Sequence, residues 1–168
     1  MKVTCKVFPI GKPAASDGSI FTRNVIDEFL KSDLCKHRLQ TKTCVGAITH
    51  IHRDKKLIKS EIVAVVDQML LNKAITHYVT DFYIEGDWLM ADMKMLDENL
   101  MDSQSAENIK FIKGLLLNGI EIPVSATVIA NWTGNKATKL IDIPGIDFTL
   151  DPGFDYAGVV KINDIRKQ

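Results

Sequence analysis

The residues in this chain that could do chemistry are four histidines, three cysteines and one serine set in an apolar stretch. His50 and His52 stand two apart, a spacing that puts both imidazoles on one face of a strand. Two such rings are half of a zinc site, which needs a third and usually a fourth ligand. No convincing partner is present. His37 and His77 are distant, and Cys5, Cys35 and Cys44 form no C-x-x-C pair. Neither a metal nor a cofactor is therefore expected. Cys44 precedes His50 by six residues and could be imagined as a nucleophile, but a small buried thiol is the simpler reading.

Ser125 lies in the run IEIPVSATV, residues 120–128. A serine there is ordinarily a strand residue bonded to its neighbours. As a nucleophile it needs a base within hydrogen-bond reach, and the base needs a group that fixes its tautomer. His50 can supply the first and an acid such as Asp147 the second. Spacing does not bring the three together, because triad members come from distant parts of a chain.

The elements that must position these residues follow from local pattern. Residues 3–10 are β-branched and end at Pro9 and Gly11, as a strand should. A turn-rich loop spans 11–18. Ser19 is then placed to cap a helix in which Ile20, Val25, Ile26, Phe29 and Leu30 recur, fading around 32–36. Residues 44–51 read as a short strand carrying His50, and 58–71 as a helix. Strands at 74–84 and 88–96 are joined across Glu85-Gly86-Asp87. Ser103 or Ser105 caps a helix through Ile109, Ile112, Leu115 and Leu116, stopped at Asn118-Gly119. Further strands are expected at 120–131, 140–150 and 156–162. The sum is an α+β domain: a strongly bent sheet or small barrel flanked by about three helices.

The 168 residues suffice for one domain, 1–168, with its own core. Lys+Arg and Asp+Glu both number 21, so the net charge is +0 and nothing favours a nucleic acid or an anionic membrane as partner. No apolar run approaches the ~18 residues of a bilayer span. The start, MKVTCK, lacks the apolar core of a secretory leader, and the odd cysteine count fits reduced thiols in an intracellular compartment.

Five segments together resemble the prohead (capsid maturation) serine proteases of tailed bacteriophages. SDGSIF (16–21) before a helix resembles the family's N-G-R-x-Y. VGAITH (45–50) is similar to the segment carrying the catalytic histidine. THYV (76–79) followed by GDWLMADMKML (86–96) resembles S-H-x-I … G-x-x-x-G-E-x-x-I-L. LLNGIEIPVS (116–125) is similar to the segment ending in the nucleophilic serine, and IDFTLDPGF (146–154) resembles x-D-I-V-x-x-P-S-F. The order is the family's and the span is roughly residues 16–155. Ile51 replaces the usual proline, Ala47 the acidic residue, and Ala126-Thr127 the small-polar and arginine pair after the serine.

The resemblance implies a herpesvirus-assemblin-like fold and a serine endopeptidase with Ser125 as nucleophile and His50 as base. Asp147 is the expected third member, with His77 and Asp92 as alternatives. It also implies scaffold and major capsid proteins as substrates, self-association, and action inside the assembling prohead in the host cytoplasm. A catalytically inactive scaffold protein on the same fold is the competing reading.

Overall fold

The computed structural model describes residues 1–48, 59–150 and 152–163. Strand β1 (Lys2–Pro9) buries Val3, Cys5 and Val7 and turns Lys2, Thr4 and Lys6 outward, the two-residue period of a half-buried strand. Helix α1 (Arg23–Lys31) buries Val25, Ile26 and Phe29 on one face. Phe29 packs edge-on against Phe82, with ring centroids 5.9 Å apart.

The expected helix start at Ser19 is not observed. Ile20 is in extended backbone, bridged to Lys136, with its N–H on the Asn135 carbonyl and its own carbonyl taking the Ala137 N–H. Helical dihedrals therefore begin only after Thr22. Nor does the helix simply fade. The Ser32 hydroxyl donates to the Phe29 carbonyl and accepts from the Cys35 N–H, closing α1 and capping α2 (Asp33–Thr41) at one residue.

Strand β2 (Val45–Gly46) is short. Helix α3 (Lys59–Leu71) follows, then β3 (His77–Glu85) and β4 (Trp88–Met95), paired as a hairpin across Gly86-Asp87. A 3₁₀ turn (Glu98–Leu100) leads into α4 (Ser103–Leu117). Its cap is Asp102 rather than either serine: the carboxylate accepts from the Ser105 N–H at 3.0 Å. The Lys73 ammonium at 2.5 Å stabilises that charge and, with the Ser105 N–H, holds the Asp102 carboxyl down to about 2.

β5 (Val124–Thr133) and β6 (Lys136–Phe148) form a second hairpin, and β7 (Gly158–Asn163) ends the fold. The strand order is β5-β6-β2-β3-β4-β1-β7, antiparallel throughout except where β2 meets β6. The two end strands approach each other through a Pro123–Gly158 bridge and a Val159 N–H to Ile122 carbonyl bond of 3.0 Å. The fold is thus α+β, a seven-stranded sheet curled into a half-barrel with four α-helices among the described residues. Its interior is filled by residues such as Phe21, Phe148, Ile143, Met93, Ile109 and Leu116.

Candidate functional site

Ser125 and Asp147 are direct partners in the β5–β6 register. Directly opposed residues of an antiparallel pair put their side chains on the same face. The serine and the carboxylate therefore stand side by side, 8% and 2% exposed. No hydrogen bond ties the Ser125 hydroxyl to another described residue.

Asp147 is held from the neighbouring strand. β2 runs parallel to β6 through Val45–Gly145, and beyond it the Ala47 N–H donates to Asp147 Oδ1 at 2.9 Å while the Ala47 carbonyl accepts from the Phe148 N–H. Gly46 and Gly145 permit this approach. A Cβ on Gly46 would overlap the Ile146 carbonyl oxygen and His77 Nε2, and one on Gly145 would overlap the Val45 carbonyl oxygen. His50 and His52 lie outside the described residues.

His77 is placed close by but is already engaged. It is fully buried, with Nδ1 2.8 Å from Thr76 Oγ1 and Nε2 2.6 Å from the Ile146 carbonyl oxygen. A carbonyl only accepts, so Nε2 carries the proton and Nδ1 accepts from the Thr76 hydroxyl. Burial lowers the imidazole's pKa, while the Ile146 carbonyl and the charge of Asp147 pull the other way without prevailing. The ring also packs on Phe148, centroids 4.5 Å apart. His77 is a neutral core histidine clamping β3 to β6.

Asp92 sits elsewhere. β4 is three strands from β6, about 14 Å along the sheet. Its Oδ1 accepts from Thr4 Oγ1 at 2.8 Å and from the Tyr83 hydroxyl at 3.3 Å. His37 is an exposed residue of α2 whose carbonyl accepts from Thr41 Oγ1. The Cys44 thiol is buried, donates to the Ile143 carbonyl at 3.2 Å and is pushed far up by burial, the opposite of an activated thiol. Cys5 and Cys35 are buried free thiols too.

Two features carried no role in the sequence. One is the fork of Arg38 on the buried Asp142, with Nε and Nη2 each 2.6 Å from a carboxylate oxygen, which fastens α2 to β6 five residues before Asp147. No local pattern announces a pair separated by 104 positions. The other is a loop contact in front of Ser125. The Ser16 N–H donates to the Gly153 carbonyl at 3.3 Å. A Cβ built on Gly153 would lie 3.2 Å from Ser16 Oγ and 3.7 Å from Ser125 Oγ. With no side chain on Gly153, the two hydroxyls border one small space.

No protein-family profile matches the chain, and no curated protein matches its sequence. Among solved structures, the fold is similar to that of the capsid assembly protease gp21 of bacteriophage T4. The TM-score is 0.60, at 9% identity, over 89% of this chain and 81% of that one. What the two share is the fold, and in this chain that fold sets a serine beside a buried aspartate.

Proposed function

We propose that this single-domain chain is a serine endopeptidase of phage head maturation, with Ser125 as nucleophile, His50 as general base and Asp147 as the group that orients His50. The observation that carries this is the Ser125–Asp147 pair, on a fold similar to that of a phage capsid assembly protease. Asp147 is bonded to Ala47, three residues before His50 in the sequence.

In the reaction, His50 takes the Ser125 proton as Oγ attacks the peptide carbonyl, then delivers it to the leaving amine. Water then hydrolyses the acyl-enzyme by the same relay. β5 is an end strand whose start meets β7, and beyond that contact an extended substrate segment can pair along its outer edge. The substrates are scaffold and major capsid proteins enclosed in the prohead within the host cytoplasm. Self-association there is supported by strongly exposed leucines on α3 and the 3₁₀ turn: Leu70, Leu71 and Leu100 are 69%, 75% and 83% exposed.

A scaffold protein without turnover is the second reading, favoured by Ala126-Thr127 standing where the resemblance places a small-polar and arginine pair. One experiment separates them. A fluorophosphonate probe should label the wild-type chain and fail on Ser125→Ala, and only the wild type should cleave a head-protein peptide. Equal cleavage by Ser125→Ala, or an unlabelled wild type, would remove the serine-protease reading.

A further inference from the structure

A serine nucleophile needs a hydrogen-bond donor aimed at the oxygen where negative charge develops. The strand segment after Ser125 offers no cationic side chain near it, since Ala126, Thr127 and Val128 follow. The loop between β1 and α1 does bring a donor. Ser16 Oγ and Ser125 Oγ both lie within van der Waals range of the point where a Gly153 Cβ would stand.

The Ser16 loop is firmly built. The Ala14 N–H donates to the Ser19 carbonyl and the Gly18 N–H to the Ala14 carbonyl, both at 2.9 Å. The Ser19 N–H donates to Asp17 Oδ1, also at 2.9 Å. Next to it, the Ser16 N–H is tied to Gly153. Ser16 itself is exposed, and no hydrogen bond occupies its hydroxyl among the described residues. Backbone bonds hold the residue in place while its hydroxyl stays available to a ligand.

We propose that Ser16 is a substrate-contacting residue whose hydroxyl donates to the carbonyl oxygen of the bond attacked by Ser125, across the space bordered by Gly153. This deepens the endopeptidase reading and rests on it. As Ser125 Oγ bonds to the carbonyl carbon, its proton passes to His50 and the carbonyl π pair moves onto oxygen. That oxyanion accepts the Ser16 O–H hydrogen bond, and no proton leaves Ser16. On collapse the pair returns, the C–N bond breaks, and the amine leaves with the proton from His50. The bond to Ser16 is strongest while the oxygen is charged, so it acts on kcat more than on KM.

The test is steady-state cleavage of one head-protein peptide by wild type, Ser16→Ala, Ser16→Thr and Ser125→Ala, each with a melting curve. Ser16→Ala should lose about 10- to 100-fold in kcat, with KM within about threefold and Tm unchanged. Ser16→Thr keeps the hydroxyl and should recover most of that loss. Wild-type kcat in Ser16→Ala would overturn the assignment while leaving Ser125 as nucleophile. An equal loss in Ser16→Ala and Ser16→Thr would overturn it as well, by showing that loop packing rather than the hydroxyl matters. If the wild type has no turnover beyond Ser125→Ala, the endopeptidase reading fails together with it.

Discussion

Asp147 serves two neighbours with one carboxylate: it accepts from the Ala47 N–H and lies opposite Ser125. Asp147→Asn keeps an acceptor oxygen for Ala47, and in the proposed triad its amide would favour the wrong imidazole tautomer of His50. Turnover should fall on the order of 10⁴-fold, by analogy with the buried aspartate of the serine-protease triad. Peptide turnover checks this, with the melting temperature measured to show that the Ala47 contact survives. His50→Ala and Ser125→Ala should each abolish cleavage, and the double variant should be little worse than either, since members of one catalytic unit are non-additive. Multiplying losses would mean that the two act independently. His77 predicts a pH dependence of stability instead. Its folded pKa lies below the ordinary 6.5, so the unfolded chain binds the proton more readily. The neutral ring's contribution is complete above about pH 6.5 and is lost as pH falls through the depressed folded value. Urea midpoints between pH 7.5 and 5 should fall for the wild type and flatten for His77→Gln, which removes the titrating ring. Parallel slopes for the two proteins would assign the acid sensitivity elsewhere.

At the scale of elements, β2 is the part on which the site depends. It is two residues long, yet it joins β3 to β6 and leads to the Ala47 N–H that holds Asp147. Gly46→Ala would drive a methyl into the Ile146 carbonyl and the His77 ring, so backbone must move. A loss of about 3 kcal/mol or more is expected, read from the urea midpoint. The Arg38–Asp142 fork makes an asymmetric prediction. Arg38→Ala leaves a carboxylate that is 5% exposed without its cation, whereas Asp142→Ala leaves an arginine that is 24% exposed and can turn to solvent. The first should cost about 3 kcal/mol and the second clearly less. Equal losses would mean that packing of the side chains, not charge burial, dominates there.

Across the whole molecule, the exposed leucines of α3 and the 3₁₀ turn should decide assembly. Leu70→Lys with Leu100→Lys should shift sedimentation toward the monomer with little change in melting temperature. A wild type that is monomeric at every concentration would end that expectation. The sequence by itself determined the local elements. The two-residue period of β1, the apolar face of α1, the helix ending at Asn118-Gly119 and the hairpin at Gly86-Asp87 are all dictated by neighbours in the chain. Helix starts were legible only roughly. Asp102 outcompeted two serines as a cap because Lys73, 29 residues away, supports its charge, and Ser19 was overridden by the long-range Ile20–Lys136 bridge. Ser125 could be singled out by residue type and resemblance, but its neighbours could not be derived from spacing. Its placement opposite Asp147, the commitment of His77 to Ile146 and the remoteness of Asp92 follow from strand order and register. These join positions far apart in the chain, such as Ala47 and Asp147, 100 residues apart. A one-residue slip would turn each of these side chains to the other face, and no local preference detects such a slip. Only the packed sheet, with its core on one side, selects the register that puts the serine beside the carboxylate.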